Sequence, residues 1–558
     1  MTDANELVFL PLGGSGEIGM NLNAYGFGPP EARKWIVVDI GVTFGREDTT
    51  PGIDLILPDP SFLEERRKDI LAIVLTHAHE DHIGAIGWLW PRLKAPLYAT
   101  PFTAALIREK LRERGLLDRV KLNVVPLKGR FQIGPFDLEL ITLTHSIPEP
   151  NGVAIRTPLG LVWHTGDWKI DPDPLVGETT DEAALTRIAD EGVLAMVCDS
   201  TNVFVEGESG SEADVRKNLT ALIATLKRKV VVTAFASNVA RMDSVIRAAH
   251  DCGRTVALVG RSMHRIAAAA RSVGLLQGLP ELADESEAGH LPPENVLYLC
   301  TGSQGEASAA LSRIAAGDHR HVTLGAGDAV IFSSRVIPGN DSAIYALQER
   351  LSERGVRIIT DKDALVHVSG HPARDELAQM YAWARPKIAV PVHGERRHIL
   401  EHQAFALALQ TPQAMAPRNG DLIRLAPGPA EVIDETPAGR LYVDGTVIVD
   451  AEDDALRERR RIGADGLVTV ALAVHAKSHA IVSGPDVRVK GLPASDEEAF
   501  ELAVDDMGDA AEAAYQRLNH ADRADDDAVE NAIMRAVRKA AERAWGKRPL
   551  VDVVVMRV

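Results

Sequence analysis

Leu75-Thr-His-Ala-His-Glu-Asp-His-Ile-Gly-Ala85 places three histidines and two acids within six residues, His77 to His82, directly after the apolar run Leu71–Leu75. A solvated polar loop accounts for the polarity of this stretch but not for its spacing. His77 and His79 are two apart, so they point to the same side of an extended backbone. Asp81 and His82 follow where the chain must turn into the amphipathic stretch Ile83–Leu93. Neutral imidazole and carboxylate are the ligands that borderline divalent metals such as zinc prefer. Four such groups on one loop suffice for two ions if later segments complete the coordination.

Three later segments each set a His or Asp just beyond an apolar strand. His145 follows Leu138–Leu143, Asp167 follows Leu161–Trp163, and His393 follows Ile388–Val390. Ends of adjacent strands converge at one edge of a sheet. The expected division is therefore His77, His79 and His145 around one ion, with Asp81, His82 and His393 around a second. Asp167 bridges them, because only a carboxylate can give an oxygen to each. Two ions about 3.5–4 Å apart can share a hydroxide and clamp the attacking and leaving oxygens of a displacement. The isolated His164, His475 and His479 read as surface or satisfied core groups.

The chain has 558 residues, more than one core normally supports, with 46% hydrophobic and 25% charged residues, as in ordinary globular proteins. No apolar run is long enough to span a bilayer, and the first residues, Met-Thr-Asp-Ala-Asn-Glu, lack a signal peptide's basic and apolar regions. Three cysteines far apart, Cys198, Cys252 and Cys300, point to a reducing, cytoplasmic compartment and exclude a cysteine metal motif. The net charge of −18 excludes a generic basic coat for nucleic acid. Yet Lys227–Arg271 holds nine Lys/Arg against two Asp, a local +7, whereas Asp496–Glu530 holds thirteen acids against two arginines.

The pattern predicts an α/β chain in four parts. Residues 1–205 read as short strands (Leu7–Leu12, Trp35–Ile40, Ala72–Leu75, Val153–Arg156, Leu161–His164 among them) with helices at Ile83–Leu93 and Phe102–Arg114. Residues 206–362 alternate strand and helix as a parallel sheet covered on both faces. That alternation opens with a helix capped by Ser211 and running through Arg228, and includes a helix Ala307–Ala316. Residues 363–450 carry the second ligand-bearing segment, and 451–558 form a small α+β domain. The strand-end loops of the parallel sheet, Ala236-Ser-Asn238, Thr301-Gly-Ser-Gln-Gly305 and Ser333-Ser-Arg335, expose hydroxyl groups and backbone N–H groups suited to phosphate.

His77-x-His79-x-Asp81-His82 with His145 and Asp167 resembles the metallo-β-lactamase superfamily, whose αββα sandwich hydrolyses many substrates. Asp199-Ser-Thr201, Ser369-Gly-His371 and Val392-His-Gly-Glu395 are similar to the motifs of its β-CASP nucleases, and His393 resembles the RNA-acting members. Order, length and terminal domain resemble bacterial ribonuclease J; Met20 departs from it, standing where that family has a basic residue. The resemblance implies a two-zinc ribonuclease, with manganese or magnesium as substitutes. It would digest single-stranded RNA 5′ to 3′ from a 5′-monophosphate and also cut internally, in mRNA decay and rRNA maturation. It further implies that Ala236, Ser237, Asn238, His367, Val368, Ser369, Gly370 and His371 bind substrate. His371 would act at the leaving 3′-oxygen, and Asp81 would orient the nucleophile. A structural calcium on Gly52, Asp54 and Asp444, a homodimer or homotetramer, and partners in an RNA-degrading assembly are also implied. A small-molecule hydrolase, a DNA-directed β-CASP nuclease and a non-catalytic RNA-binding scaffold are the alternative readings.

Overall fold

A computed structural model describes residues 4–46, 49–337, 339–493 and 496–558. The chain forms two compact units, Met1–Thr43 with Ile56–Arg440, and Phe44–Leu55 with Leu441–Val558.

In the first unit two sheets face each other. An eight-stranded sheet runs from Glu431–Glu435 at one edge to Leu122–Val124 at the other, and a seven-stranded sheet runs from Arg130–Ile133 to Gln413–Ala414. Leu7, Phe9, Ile36 and Val38 of the first meet Phe136, Leu138, Val162, Val197 and Val390 of the second in one buried core. Helix Pro101–Glu113 packs on the first sheet. Glu182–Glu191, Arg374–Ala384 and Arg396–Ala408 close the other face over Trp163, Met196, Leu377 and Met380. This is the expected αββα sandwich. Its central strands, such as Ile70-Leu-Ala-Ile-Val74, are near-continuous apolar runs because both faces are covered.

The register of these strands places the polar groups that follow them. Lys34–Val38 and Ile70–Val74 are parallel, with Val38 opposite Val74, so Asp39 and the Thr76–His82 stretch leave the sheet at the same edge. In the other sheet Gly160–His164, Val193–Asp199 and Ile388–Val392 are parallel neighbours, with His164 opposite Val197 and Asp199 opposite Val392. Thr165–Asp167, Ser200 and His393 therefore emerge side by side.

The intervening chain forms a separate all-parallel sheet in the order Thr255–Val259, Val296–Cys300, Val230–Thr233, Ala329–Phe332, Arg357–Ile359. Ser211 caps the helix Glu212–Thr225 as expected, its Oγ accepting from the Ala213 N–H. That helix stops at Thr225 rather than Arg228, because Leu226 is already extended. The helix expected from Ala307 starts at Ala310, since the preceding residues are spent in a turn in which the Ala309 N–H bonds the Glu306 carbonyl.

The second unit centres on Leu467–Val474, antiparallel to Ile481–Lys490 and parallel to Leu550–Arg557. Its strict burial alternation turns Val468, Val470, Leu472 and Val474 toward helices Glu497–Gln516 and Asp526–Trp545. The alternate residues of the last strand, Val554 and Met556, remain exposed. Among the described residues no helix is long and apolar enough to cross a membrane. Cys198 and Cys300 are buried and unpaired.

Gly152 shows how closely the sandwich is packed. A Cβ there would stand 2.1 Å from the fully buried Trp163 ring. Gly152→Ala is expected to destabilise the protein by about 1–3 kcal/mol or more through overpacking, read as a lower urea midpoint at unchanged slope.

Candidate metal centre

The loop from Thr76 and three strand ends of the opposite sheet meet in two ligand sets. His77, His79, His145 and Asp167 each offer one atom within 4.8 Å of the others, and so do Asp81, His82, Asp167 and His393. Both sets contain Asp167, the division expected from the strand-end positions. In the first, Nδ1 of His79 lies 3.1 Å from Nε2 of His77 and 3.0 Å from Nε2 of His145, and the latter two each lie 3.9 Å from Asp167 Oδ2. In the second, Asp167 Oδ2 is 3.2 Å from His82 Nε2 and 3.6 Å from His393 Nε2, which is 3.1 Å from Asp81 Oδ2. Ligand atoms on a tetrahedron at zinc–nitrogen distance are about 3.3 Å apart. The donor types and spacings fit a pair of such ions.

The charge state fits as well. Burial pushes His77, His79 and His145 below the ordinary imidazole value, His79 to about 4, which leaves neutral ligands. Burial also works against protonation of His82 and His393, but the Asp167 carboxylate, aided by Asp81, overrides it and holds both above the ordinary value. Asp167 stays well below the usual carboxylate range in spite of its burial, because His393 and His82 face it. Protons on imidazoles are how the protein alone balances buried carboxylates; a divalent cation balances the same charge and takes the nitrogen lone pairs instead.

The other ring nitrogens are held from behind. His82 Nδ1 donates to Asp39 Oδ2 at 2.7 Å, and His145 Nδ1 donates to the Gly370 carbonyl at 2.5 Å. Thr76 Oγ1 bonds His77 Nδ1 at 3.0 Å, and Thr201 Oγ1 bonds His393 Nδ1 at 2.8 Å. Such partners fix the tautomer and turn the remaining nitrogen to the ion. Asp39 (φ +66°) and His393 (φ +52°) both adopt left-handed backbone, a strain of about 1–3 kcal/mol each that the surrounding structure must hold. Asp39 and Thr201 were not among the expected site residues. Asp39 sits inside the apolar stretch Trp35–Ile40, and Thr201 closes the Asp199-Ser-Thr201 motif, which gave it no stated role. Of the three isolated histidines, His164 is buried and bonds Tyr25 Oη at 2.8 Å. His479 is buried against Arg557, and His475 accepts backbone N–H groups in its turn.

His371 stands beside the ligand sets, Nδ1 2.7 Å from Asp199 Oδ2 and 3.9 Å from Asp167 Oδ2. Burial alone would lower its pKa, but the Asp199 carboxylate outweighs it and raises the group above the ordinary value. The loop leading to it is tied at several points. Ser369 Oγ accepts from Asn202 Nδ2 at 2.7 Å, and Val366 O accepts from Arg241 Nη1 at 2.9 Å. Arg241 is fully buried, paired with Glu212 at 2.9 Å and bonded to Ser333 Oγ at 2.7 Å. Its own N–H donates to the Asn238 side chain at 2.8 Å. The two expected substrate segments, Ala236–Asn238 and His367–His371, are thus joined through one buried arginine that the sequence did not single out. Val368 is buried, while Ala236, Ser237, His367 and Ser369 are half-buried.

Two expectations meet a different environment. Asp444 is bound 2.5 Å from Arg459 Nη2, and the same guanidinium lies beside Gly52. The Asp54 carbonyl is taken by the Gly45 N–H. Calcium needs six to eight oxygen ligands; a cation here would have to displace an arginine from the shared carboxylate. Met20 is buried, with φ +53° and its N–H on the Val42 carbonyl, so its side chain belongs to the core.

Fold and site together define a hydrolase of the metallo-β-lactamase superfamily with a β-CASP insert. Residues 29–184 match the metallo-beta-lactamase superfamily, and 355–407 match the Zn-dependent metallo-hydrolase RNA specificity domain. Residues 227–351 match the ribonuclease J beta-CASP domain and 454–558 the ribonuclease J C-terminal domain. A ribonuclease J of Sinorhizobium meliloti is 48% identical over 558 residues, covering 100% of this chain and 98% of that one. Those of Corynebacterium glutamicum (37% identical; 98% of this chain, 75% of that one) and Thermus thermophilus (35%; 98% and 94%) are also similar. The chain belongs to the ribonuclease J family and is a metal-dependent ribonuclease. Among solved structures, a protein of unknown function from Enterococcus faecalis V583 shares the fold, with a TM-score of 0.52 at 16% identity over 75% of this chain and 100% of that one.

Gly41 is where the metal loop meets the backbone behind it. A Cβ at this position would lie 1.7 Å from the Asp81 carbonyl oxygen and 2.8 Å from the His82 nitrogen. Gly41→Ala is expected to push Asp81 and His82 out of the second ligand set. Metal affinity, measured by competition with a chromophoric chelator, should fall roughly 10–100-fold or more, with the first set less affected.

Proposed function

We propose that this chain degrades single-stranded RNA 5′ to 3′ from a monophosphorylated end and also cuts internally, using zinc in the two ligand sets His77/His79/His145/Asp167 and Asp81/His82/Asp167/His393. Manganese or magnesium are the substitutes, and the products carry a 5′-phosphate and a 3′-hydroxyl. The observation that carries the reading is the single loop from Val366 to His371. It is tied at one end to the parallel-sheet insert through Arg241, and at the other it meets the ligand His145 through Gly370. A terminal phosphate held along that loop sets the scissile bond at the metals, and stepwise release of one nucleotide follows.

Two divalent ions supply Lewis acidity, acidifying water and neutralising charge on the phosphate. The chain supplies the rest. Asp81 and Asp167 fix the nucleophile's position from one side. His371, its Nδ1 locked on Asp199, keeps Nε2 as the proton donor to the leaving 3′-oxygen, and the raised pKa keeps that proton available near neutrality. Ser369 and the Ala236–Asn238 loop grip the end. The match to an RNA specificity domain favours RNA over DNA or a small molecule, and the full ligand complement favours an enzyme over a scaffold. The setting in which such an enzyme serves mRNA decay and rRNA maturation is the cytoplasm, with other RNA-degrading proteins as partners.

His371→Ala is expected to lower single-turnover cleavage roughly 10²–10⁴-fold with metal content unchanged. Digestion of 5′-labelled RNA by the unaltered protein should release labelled mononucleotide first; longer labelled fragments alone would overturn the exonuclease reading.

The second unit is proposed to hold subunits together as a homodimer or homotetramer, because Val554 and Met556 leave apolar surface on one face of its sheet. Ending the chain at Asp450 should lower the subunit count in light scattering; an unchanged count would exclude this role.

A further inference from the structure

A buried polar chain lies behind the site, and the cleavage chemistry does not use it. Ser200 Oγ is 2.9 Å from His402 Nδ1, and His402 Nε2 is 3.0 Å from Tyr381 Oη. Ser200 and His402 are fully buried, and Tyr381 belongs to the apolar cluster of Leu377, Met380 and Ala406. Burial pushes the His402 imidazole down to about 4. It is therefore neutral, with one donor and one acceptor nitrogen, and the two hydroxyls can take the complementary roles. Ser200 is out of a substrate's reach at 0% exposure, which excludes nucleophilic use of the pair.

Each member of the chain stands on an element that carries a working group of the site. Ser200 lies between Asp199, which holds His371 Nδ1 at 2.7 Å, and Thr201, whose Oγ1 holds His393 Nδ1 at 2.8 Å. Tyr381 is on the helix Arg374–Ala384, directly downstream of His371. His402 is on the helix Arg396–Ala408, directly downstream of His393. Ser200 also approaches that turn closely, for a Cβ on Gly394 would lie 3.1 Å from Ser200 Cβ. The His371 and His393 rings themselves stack with centroids 5.5 Å apart. Apolar packing is non-directional, whereas hydrogen bonds fix both distance and angle.

We infer that His402 is a positioning residue for RNA cleavage: through Ser200 and Tyr381 it ties together the three elements that set His371 against the second ligand set. The inference rests on the proton-donor role proposed for His371. A displaced donor leaves RNA binding and metal content intact and slows the bond-breaking step.

The test measures single-turnover cleavage at saturating RNA, RNA affinity and bound metal, all on the full-length, metal-loaded protein. His402→Phe keeps a ring and removes both hydrogen bonds, and Ser200→Ala removes one of them. Each should slow cleavage roughly 10–100-fold, the order of loss that a small misplacement produces from a distance, with RNA affinity and metal content unchanged. His402→Asn sets an amide where Nδ1 stood, can still bond Ser200, and should recover much of the rate. In a His371→Ala background the His402→Phe penalty should largely vanish. Thermal melts identify the folded variants; if His402→Phe does not fold, Ser200→Ala, alone and with His371→Ala, decides. Unaltered cleavage by the folded variants overturns the assignment. So does a loss confined to RNA affinity, a loss of metal in step with the rate, or a His402→Asn protein no better than His402→Phe. A full penalty that persists in the His371→Ala background overturns it too. A His371→Ala protein that cleaves at the normal rate overturns the proton-donor reading itself.

Discussion

The carboxylate of Asp167 is the group on which the site depends. It is 3% exposed, and its Oδ2 lies within 3.9 Å of nitrogens on His77, His82, His145, His371 and His393. An ionised carboxylate out of water must be compensated, and here His393, His82 and His371 do so, while His77 and His145 stand beside it as neutral imidazoles. The parallel register of Gly160–His164, Val193–Asp199 and Ile388–Val392 is what brings Asp167, Asp199 and His393 to one edge. The left-handed turn at His393 and the close approach of Gly41 to Asp81 are the local costs of gathering them there.

A second buried charge joins the insert to this edge. Arg241 contacts Glu212, Ser333 and Val366, while the Glu212 N–H donates to Asp171 Oδ2 at 2.9 Å and Asp171 in turn holds Lys169, two residues past Asp167. Removing one partner from such a pair typically costs about 3–5 kcal/mol, because the other is left charged and buried. The network therefore gives the Ala236–Asn238 and Val366–His371 loops one well-defined position relative to the ligand sets.

The ligands were legible in the sequence because each closes an apolar run, and a polar group at that place has few other roles. A strand-rich first part with helices outside it and the parallel insert were legible from the spacing of those runs, whereas the αββα sandwich was implied by the resemblance to the metallo-β-lactamase superfamily. Asp39 was hidden inside a stretch that reads as strand to Ile40, and only its pairing with His82 shows what it does. Arg241 reads as a charged residue on an amphipathic helix; that it is wholly buried depends on Glu212 and Val366, which only the folded chain brings to it. The turns holding Gly52, Asp54 and Asp444 say nothing of Arg459, which takes the Asp444 carboxylate. Helix ends at Thr225 and Ala310 were set by backbone turns rather than by side-chain pattern.

The placement of the insert also orders events during synthesis. Every member of the first ligand set lies at or before Asp167, whereas the second set waits for His393, beyond the whole parallel sheet. Val193–Asp199 leaves one side unpaired until Ile388–Val392 arrives to lie against it. Pairings of such long sequence separation form late, because the loop between them must close first. A nascent chain therefore has one of the two candidate ligand sets early and completes the other only when the parallel-sheet insert has been made.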